Sequence, residues 1–216
     1  MKKTLQTALL CLLPVVAFAQ QKFTIIPSVG YAWRTASLPS NLDARNRDYF
    51  KQLKSGVNID VAAYYRLKTN LGLGVKYNLY SSSATGTVYG YDPQTNQPVS
   101  VNLQTDDKIT FVGPSLMYSN FEDARKHKLY YDLALGVISY TTKSPGSEIT
   151  GSNLGLALTV GYMYQLTPMI LVGPQLSYTG GTLKKFNING VEYTAQEGEY
   201  EALHRVALSA GATFRF

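Results

Sequence analysis

The segment Leu154-Gly-Leu-Ala-Leu-Thr-Val-Gly-Tyr-Met-Tyr-Gln165 decides the fold. Large apolar residues alternate in it with small or polar ones, which is the period-two pattern of a β-strand. The small side of the strand has no ionisable group and consists of Gly155, Ala157, Thr159 and Gly161. A side that faced water would be rich in lysine and glutamate. Small residues suit the crowded interior of a narrow barrel, so the large apolar side is predicted to face lipid.

The same alternation recurs in other segments of the chain. With three further segments that lie between them, it predicts eight strands. They are expected at residues 22–34, 57–67, 71–80, 108–119, 129–137, 154–165, 169–182 and 206–216. The predicted long loops are 35–53, 86–107 and 183–202, the intermediate ones 120–127 and 142–149, and the tight turns 68–70 and 167–168. Long outer loops and short periplasmic turns are typical of outer membrane barrels. The expected fold class is therefore all-β, an eight-stranded antiparallel up-and-down transmembrane β-barrel.

Two of these strands share a short repeat, Phe111-Val-Gly-Pro-Ser-Leu-Met-Tyr118 and Leu171-Val-Gly-Pro-Gln-Leu-Ser-Tyr178. Proline has no N–H to donate to a strand ladder. The two prolines are therefore predicted to mark bulges or positions at the barrel rim.

The N-terminus has the pattern of a secretory signal peptide. Lys2 and Lys3 precede an apolar stretch at residues 7–18, and Ala17-Phe-Ala19 supplies a small-x-small cleavage site. The apolar stretch is too short to span a membrane as a helix, which needs about 20 residues. We expect a signal peptide at residues 1–19, cleaved after Ala19, and a single barrel domain at residues 20–216.

Composition excludes several functional classes. The single cysteine, Cys11, lies in the predicted signal peptide, so disulfide and thiol chemistry are not expected. The formal charge of +6 includes Lys2 and Lys3, and the remaining cations are spread along the sequence. No lysine or arginine run has the footprint of a nucleic-acid site, and weak attraction to anionic lipid head groups is the more natural interpretation.

Aromatic residues are predicted to fall at both ends of the lipid-facing strands. If the first strand rises from the periplasm, Trp33 and Tyr178 lie at the outer rim. The periplasmic rim is expected to hold Phe23, Tyr65, Tyr118, Tyr131, Tyr162, Tyr164, Phe214 and Phe216. Rings at both interfaces form the aromatic girdles of a membrane barrel. A soluble lipocalin-like barrel, the main alternative fold, does not predict this distribution.

The chain ends in Ala212-Thr-Phe-Arg-Phe216, with alternating apolar residues and a terminal Phe. This segment resembles the last strand of outer membrane β-barrel proteins, and the layout of residues 20–216 resembles the small OmpA/OmpX-type barrels of the outer membrane protein β-barrel domain group. The resemblance implies the outer membrane of a Gram-negative bacterium, contact with its lipids, and recognition of Phe216 by the barrel assembly machinery. Because the group includes adhesins, enzymes and structural anchors, it implies no single function. A monomer is expected.

Charged side chains of the predicted strands point to the small-residue side and would lie in the lumen. They are Arg34, Asp60, Arg66, Lys76, Asp132, Arg205 and Arg215. Asp60 and Lys76 are diagonal neighbours across a predicted hairpin, within reach of each other. We interpret the set as an internal charge network that fills the barrel, since buried charges need partners. A narrow ion pore is the alternative, although eight strands enclose too little space for a water-filled channel.

An outer membrane lipid-modifying enzyme is the second alternative, because such enzymes pair a histidine and a serine on the lipid-facing side. His204 is predicted to face outward near the outer rim, but no serine lies two residues after it. His127 is predicted to lie in a solvated basic turn. No metal-ligand cluster, phosphate-binding loop or nucleotide motif appears in the sequence, so no cofactor and no catalytic residue are assigned.

The long loops are the remaining candidates for function. Asn189-Gly190 is a hairpin signal within residues 186–193, and Ser40-Asn-Leu-Asp43 fits the capping box of a short helix. The third and fourth strands, and the seventh and eighth, are expected to project as a small sheet whose edges could pair with a partner's strand. The sequence thus predicts a non-enzymatic barrel with a structural or adhesin-like role, binding an extracellular protein or surface ligand through its loops.

Overall fold

The computed structural model describes residues 22–36, 42–92, 94–195 and 200–216. The strands of the barrel wall are β1 (Phe23–Arg34), β2 (Ser55–Lys68), β3 (Leu71–Tyr91), β4 (Pro98–Ser119), β5 (His127–Ser144), β6 (Ser147–Gln165), β7 (Ile170–Leu183) and β11 (Arg205–Arg215). Three short strands lie beyond the wall, namely β8 (Lys185–Ile188), β9 (Val191–Thr194) and β10 (Glu201–Ala202). A 3₁₀ turn (Ala44–Asn46) and the helix α1 (Arg47–Gln52) lie between β1 and β2. The predicted signal peptide, its cleavage site and Cys11 lie outside the described residues.

The barrel is closed and antiparallel, as predicted. Sequential neighbours pair from β1 to β7, and β11 lies between β7 and β1 to complete the ring. In the described part of the chain, no helix is long and apolar enough to cross a membrane.

Burial alternates along each strand, and it settles which side is outside. On β6, Leu154 is 77% exposed and Leu158 is 42% exposed, whereas Ala157 and Thr159 are buried. The same alternation runs along β1, β2, β4 and β5. The prediction from the Leu154–Gln165 segment is confirmed, because the large apolar residues face outward and the small ones line the lumen.

Strands β3 to β6 are longer than predicted. The projection expected of the third and fourth strands is confirmed: β3 and β4 pair as far as Tyr91 and Pro98, so most of the predicted loop 86–107 is strand. The predicted loop 142–149 is a tight turn between Ser144 and Ser147, in which Gly146 has a φ of +78°. In these extensions the outward residues near the membrane change from aliphatic to polar, such as Ser81 and Ser83 on β3 and Gln104, Asp106 and Lys108 on β4. The apolar alternation therefore stops although the backbone pairing continues.

The hairpin signal at Asn189-Gly190 is confirmed, since both residues have positive φ and connect β8 to β9. The seventh strand projects as predicted: β8 follows β7 after one residue and continues along β6, where Ile149 lies opposite Ile188, with the register shifted by one residue. Its partner in the projection is not the eighth strand, because the returning strand β9 pairs with β8. Beyond the membrane the sheet therefore continues from β3 through β6 to β8 and β9.

The predicted short helix is present in the first loop, but it starts later than the capping box indicates. Asp43 caps the 3₁₀ turn by accepting the backbone N–H of Arg45 at 2.9 Å. Ser40 lies outside the described residues.

The two Gly-Pro pairs lie inside their strands, with Pro114 five residues before the end of β4 and Pro174 four residues after the start of β7. Neither position has a register shift, so the predicted bulge or rim position is wrong. Between β4 and β5 the pairing breaks off after Val112 and resumes at Ser115 with no change of register. A Cβ on Gly136 would lie 2.6 Å from Cα of Gly113. At the position where Pro114 has no N–H to donate, β4 and β5 therefore approach each other closely through two glycines. The pairing of β6 with β7 has a similar gap beside Pro174.

The lumen contains two apolar clusters. The cluster at the outer end includes Tyr80, Ile109, Phe111, Ile138, Leu183 and Leu203. The one at the periplasmic end includes Ile26, Tyr64, Met117, Phe121, Tyr130, Met163 and Leu171. Buried polar side chains occupy the layer between them.

Candidate functional site

The centre of the lumen holds a buried charge cluster around Lys76. Its Nζ atom lies 3.3 Å from Oδ1 of Asp60 and 3.3 Å from Oδ1 of Asp132, and it donates to Oγ1 of Thr159 at 2.6 Å. Lys76 is 1% exposed. Asp60 and Lys76 are diagonal neighbours, because Asp60 pairs with Asn78 in the β2–β3 ladder.

Neutral side chains complete this cluster. The hydroxyls of Ser115 and Tyr64 donate to Oδ2 of Asp132, the former at 2.9 Å. Asn78 donates to Asp60 at 3.2 Å and accepts a hydrogen bond from Arg205 at 2.6 Å. Strands from all sides of the barrel are thereby connected through its centre.

Arg34 lies at the outer end of the lumen, apart from the central cluster. It forms an ion pair with Asp107 at 3.3 Å and another with Glu201, and it donates to the carbonyl of Ala202 at 3.2 Å. The Tyr140 hydroxyl donates to Asp107. Arg34 therefore ties β1 to β4 and to the short strand β10.

Arg66 and Arg215 lie at the periplasmic end, where both form ion pairs with Glu122. Glu122 belongs to the turn between β4 and β5, and its neighbour Phe121 is buried in the apolar cluster at the periplasmic end. Arg215 also donates to the Phe121 carbonyl at 3.1 Å. This turn folds across the mouth of the barrel and closes it.

The charged residues predicted for the lumen thus form three groups. The partners missed from the sequence are Asn78, Asp107, Glu122 and Glu201. Asp107 shares the inward phase of Ile109 and Phe111, so extending the β4 alternation would have found it. Glu122 and Glu201 lie outside the barrel strands, where alternation gives no signal.

The described lumen is packed from end to end. A cavity near the periplasmic mouth, lined in part by Tyr64, Met117 and Arg215, has a volume of about 10 Å³, close to the space that one water molecule needs. The charged groups lie in this packed interior, where they connect the strands through ion pairs and hydrogen bonds.

The predicted girdle residues all lie on the outer face. Trp33 and Tyr178 both lie opposite Val206, near the outer ends of β1 and β7. At the periplasmic end Phe23 and Tyr65 are in edge contact with centroids 5.2 Å apart. Tyr118, Tyr131, Tyr162, Tyr164 and Phe214 are exposed at the same end, and Phe216 is half-buried there.

Both histidines contact girdle tyrosines. His204 Nδ1 lies 2.6 Å from the Tyr178 hydroxyl at the outer rim. His127 begins β5, not the predicted turn, and its ring stacks on Tyr162. The next residue, Lys128, points inward and donates to the Asp123 carbonyl. The predicted basic turn is therefore not solvated throughout, because Lys128 is buried. Within the described ranges, no group of three His, Cys, Asp or Glu side chains is placed to hold a metal ion.

The extensions of β3 to β6, together with β8 and β9, form a sheet beyond the membrane that we name the extracellular platform (residues 81–108, 139–152 and 185–194). Helix α1 packs against it through Tyr49 and Leu53. The Tyr49 hydroxyl donates to Thr105 at 2.6 Å, and the Tyr80 and Ser82 hydroxyls both donate to the Leu53 carbonyl at 3.0 Å. The helix is thus fixed over the outer end of the barrel.

One edge of the platform is covered. Beyond Ser81, where its pairing with β2 ends, this edge of β3 has no neighbouring strand. The Asn46 side chain takes the place of one at Tyr89: its amide donates to the Tyr89 carbonyl, and its oxygen accepts the Tyr89 N–H, both at 2.8 Å. Arg45 lies over the Tyr89 ring at 4.6 Å. The chain therefore protects this edge from pairing with other strands.

The opposite edge, β9, is open among the described residues. Phe186 of β8 anchors the hairpin by packing on the outer apolar cluster. On the same side of the hairpin, Val191 is 69% exposed and Tyr193 is 47% exposed. The platform thus presents an unpaired backbone edge bordered by apolar side chains.

Two carboxylates shape loops of the extracellular side. Backbone N–H groups of Thr95 and Gln94 donate to Asp92 and lower its pKa. The Arg45 side chain donates to the carboxylate of Asp43 and lowers its pKa in the same way. Both loops therefore keep their carboxylate hydrogen bonds at neutral pH.

A closed eight-stranded barrel with an apolar outer band, aromatic rims and a polar, filled lumen is the architecture of the small outer membrane β-barrels. Among solved structures, the chain is similar to Neisserial surface protein A (NspA), with 20% identity, 90% of this chain and 97% of that chain covered, and a TM-score of 0.57. It is also similar to OprG from Pseudomonas aeruginosa, with 13% identity, 89% and 95% coverage and a TM-score of 0.51. Ail, the attachment invasion locus protein of Yersinia pestis, gives 17% identity, 90% and 99% coverage and a TM-score of 0.44.

No protein-family model matches the sequence, and no curated protein matches it. The structural similarities show the fold, which is that of barrels from the outer membrane of Gram-negative bacteria. Because one fold serves many functions, the function has to be argued from the site.

Proposed function

We propose that this protein is a non-enzymatic outer membrane barrel whose extracellular platform binds an extended segment of a partner protein, by strand addition to β9. The observation that carries the proposal is the contrast between the two platform edges. Asn46 covers the β3 edge, whereas no described residue pairs with the outer edge of β9.

Backbone groups of β9 that point away from β8 support the proposal. Ala195 donates its N–H to the Lys184 carbonyl at 2.8 Å, and antiparallel residues alternate between inward and outward backbone groups. The N–H and C=O groups of Glu192 and Thr194 therefore point away from β8. An added strand would pair with these groups, and Val191 and Tyr193 would contact its alternate side chains.

The packed lumen supports a binding role in preference to transport. Side chains fill the interior from Glu122 at the periplasmic mouth to Arg34 at the outer end. The platform, in contrast, extends beyond the lipid-facing part of the barrel. Its β8–β9 hairpin is anchored by Phe186 on the outer apolar cluster, which lowers the entropy lost on binding.

Proline substitution tests strand addition. In the double variant Glu192→Pro/Thr194→Pro, the outward N–H groups are lost, while the N–H groups that pair with β8 remain. We expect peptides selected on the wild-type barrel in nanodiscs, from a phage-displayed random library, to bind this variant at least about fivefold more weakly, because each of the two lost hydrogen bonds contributes about 0.5–1.5 kcal/mol. Binding is measured by biolayer interferometry.

The matched control is Glu192→Ala/Thr194→Ala, which keeps both N–H groups and should bind within about twofold of wild type. Equal binding by the proline and alanine variants would exclude strand addition. Cross-linked dimers that the prolines abolish would identify the occupant as a second copy of this chain. Sizeable single-channel conductance, or phospholipid hydrolysis that His204→Ala removes, would replace the proposal with a pore or an enzyme.

A further inference from the structure

Basic residues that are dispersed in the sequence meet at the periplasmic end of the barrel. The carboxylates there, Glu122 and Asp123, lie in the turn between β4 and β5. The cations around them are Lys22, Arg66, Lys68, Arg125, Lys126, Lys128 and Arg215. The extracellular side has acidic and basic residues in similar numbers, so this end carries the excess positive charge.

Part of this basic end forms an open pocket below β1 and β2, which we name the foot pocket. Its volume is about 350 Å³, and it is lined by Lys22, Arg66, Leu67, Lys68, Thr69 and Glu122. The backbone N–H of Arg66 donates to the Lys22 carbonyl at 2.7 Å. This hydrogen bond keeps the two residues side by side.

The charge in the foot pocket is only partly neutralised. Glu122 is held by Arg66 and Arg215. Lys22 and Lys68 form no ion pair within the part of the chain that the structure describes, and both are exposed. The pocket therefore offers two free ammonium groups to an anion.

The depth of the pocket matches the head-group layer of the inner leaflet. One wall is Leu67, a lipid-facing residue that is 53% exposed. The pocket adjoins the contact pair of Phe23 and Tyr65 in the periplasmic girdle, and such aromatic rings lie at the level of the head groups. A phosphodiester at this depth would reach Lys22 and Lys68 while its acyl chains lie beside the barrel.

From this geometry we propose that the foot pocket binds the head group of an anionic phospholipid, with phosphatidylglycerol of the inner leaflet as the ligand. Lys22 and Lys68 contact the phosphate, and Leu67 and Phe23 contact the first methylene groups. The site is independent of the extracellular platform and fixes the barrel's depth and orientation in the leaflet.

The experiment compares spin-labelled phosphatidylglycerol with spin-labelled phosphatidylcholine in vesicles that contain the full-length barrel, and measures by EPR the preference for the anionic lipid in the motionally restricted shell. Each basic residue near an anionic membrane surface contributes about 1 kcal/mol, or roughly fivefold. In Lys22→Gln/Lys68→Gln we therefore expect the preference to fall at least about fivefold. The preference of the wild type should also fall in high salt, because screening weakens it.

The matched control is Lys54→Gln/Lys108→Gln, which removes the same charge from the extracellular side, where neither lysine forms an ion pair among the described residues. It should leave most of the preference intact. An equal loss in both variants would show non-specific charge attraction and overturn the site, as would an unchanged preference in Lys22→Gln/Lys68→Gln. Binding to purified peptidoglycan that only the Lys22→Gln/Lys68→Gln change removes, without a change in lipid preference, would identify a different ligand.

Discussion

Replacing Lys76 with methionine is expected to lower the free energy of unfolding by about 3–5 kcal/mol, the usual cost of leaving buried charges without their partner. Lys76 is the cation that Asp60 and Asp132 share at 3.3 Å each. Methionine fills a similar volume, so the loss would report charge and not packing. Urea-dependent folding into vesicles, followed by the fluorescence of the single tryptophan Trp33, measures the change.

Two further variants make this result specific. Lys108→Met removes an exposed lysine from the outer face and should change the unfolding free energy by less than about 0.5 kcal/mol. Adding Asp60→Asn and Asp132→Asn to Lys76→Met should recover much of the loss, because the buried charges are then removed together. If Lys76→Met is as stable as Lys108→Met, the central cluster is not a structural plug.

Placing arginine at Leu135 is expected to destabilise the barrel by about 2–4 kcal/mol, the cost of a cation on the lipid face near the bilayer midplane. Leu135 is 62% exposed on β5, so the effect cannot come from overpacking. In a soluble barrel, the same change at an exposed position would be nearly neutral.

Ser152→Arg is the matched control for Leu135→Arg. Ser152 is exposed on the outer face of β6 but lies beyond the lipid band, in the platform, where an added arginine should cost about 0–1 kcal/mol. Equal costs at the two positions would contradict the depth assigned to β5. Both are read from the same vesicle-folding titration.

The architecture of the barrel could be predicted because lipid and lumen impose opposite demands on alternate residues. On β6, Leu158 and Val160 face outward while Ala157 and Thr159 face inward. This is a local constraint, and sequence shows it directly. Strand ends could not be predicted in the same way, because Ser81 and Ser83 continue β3 outside the membrane, where the outer face meets water.

Long-range partners of the lumen charges were only partly predictable. Asp60 and Lys76 belong to one hairpin, so their proximity follows from register. Arg34 and Glu201 are brought together by closure of the barrel and by β10, which no local pattern encodes. Likewise, β8 continues β7 along β6 only after a one-residue shift of register, which the apolar alternation does not show.

A depth profile along β6 distinguishes a transmembrane barrel from a soluble one. Spin labels at Thr150, Leu154, Leu158 and Tyr164 all lie on the outer face, so none disturbs the packed lumen. In vesicles, the ratio of oxygen to nickel accessibility should be greatest at Leu158 and fall towards both Thr150 and Tyr164, since the apolar band faces lipid and both ends lie near water. A flat profile with high nickel accessibility at Leu158 would show that this face meets water, and would contradict a transmembrane barrel.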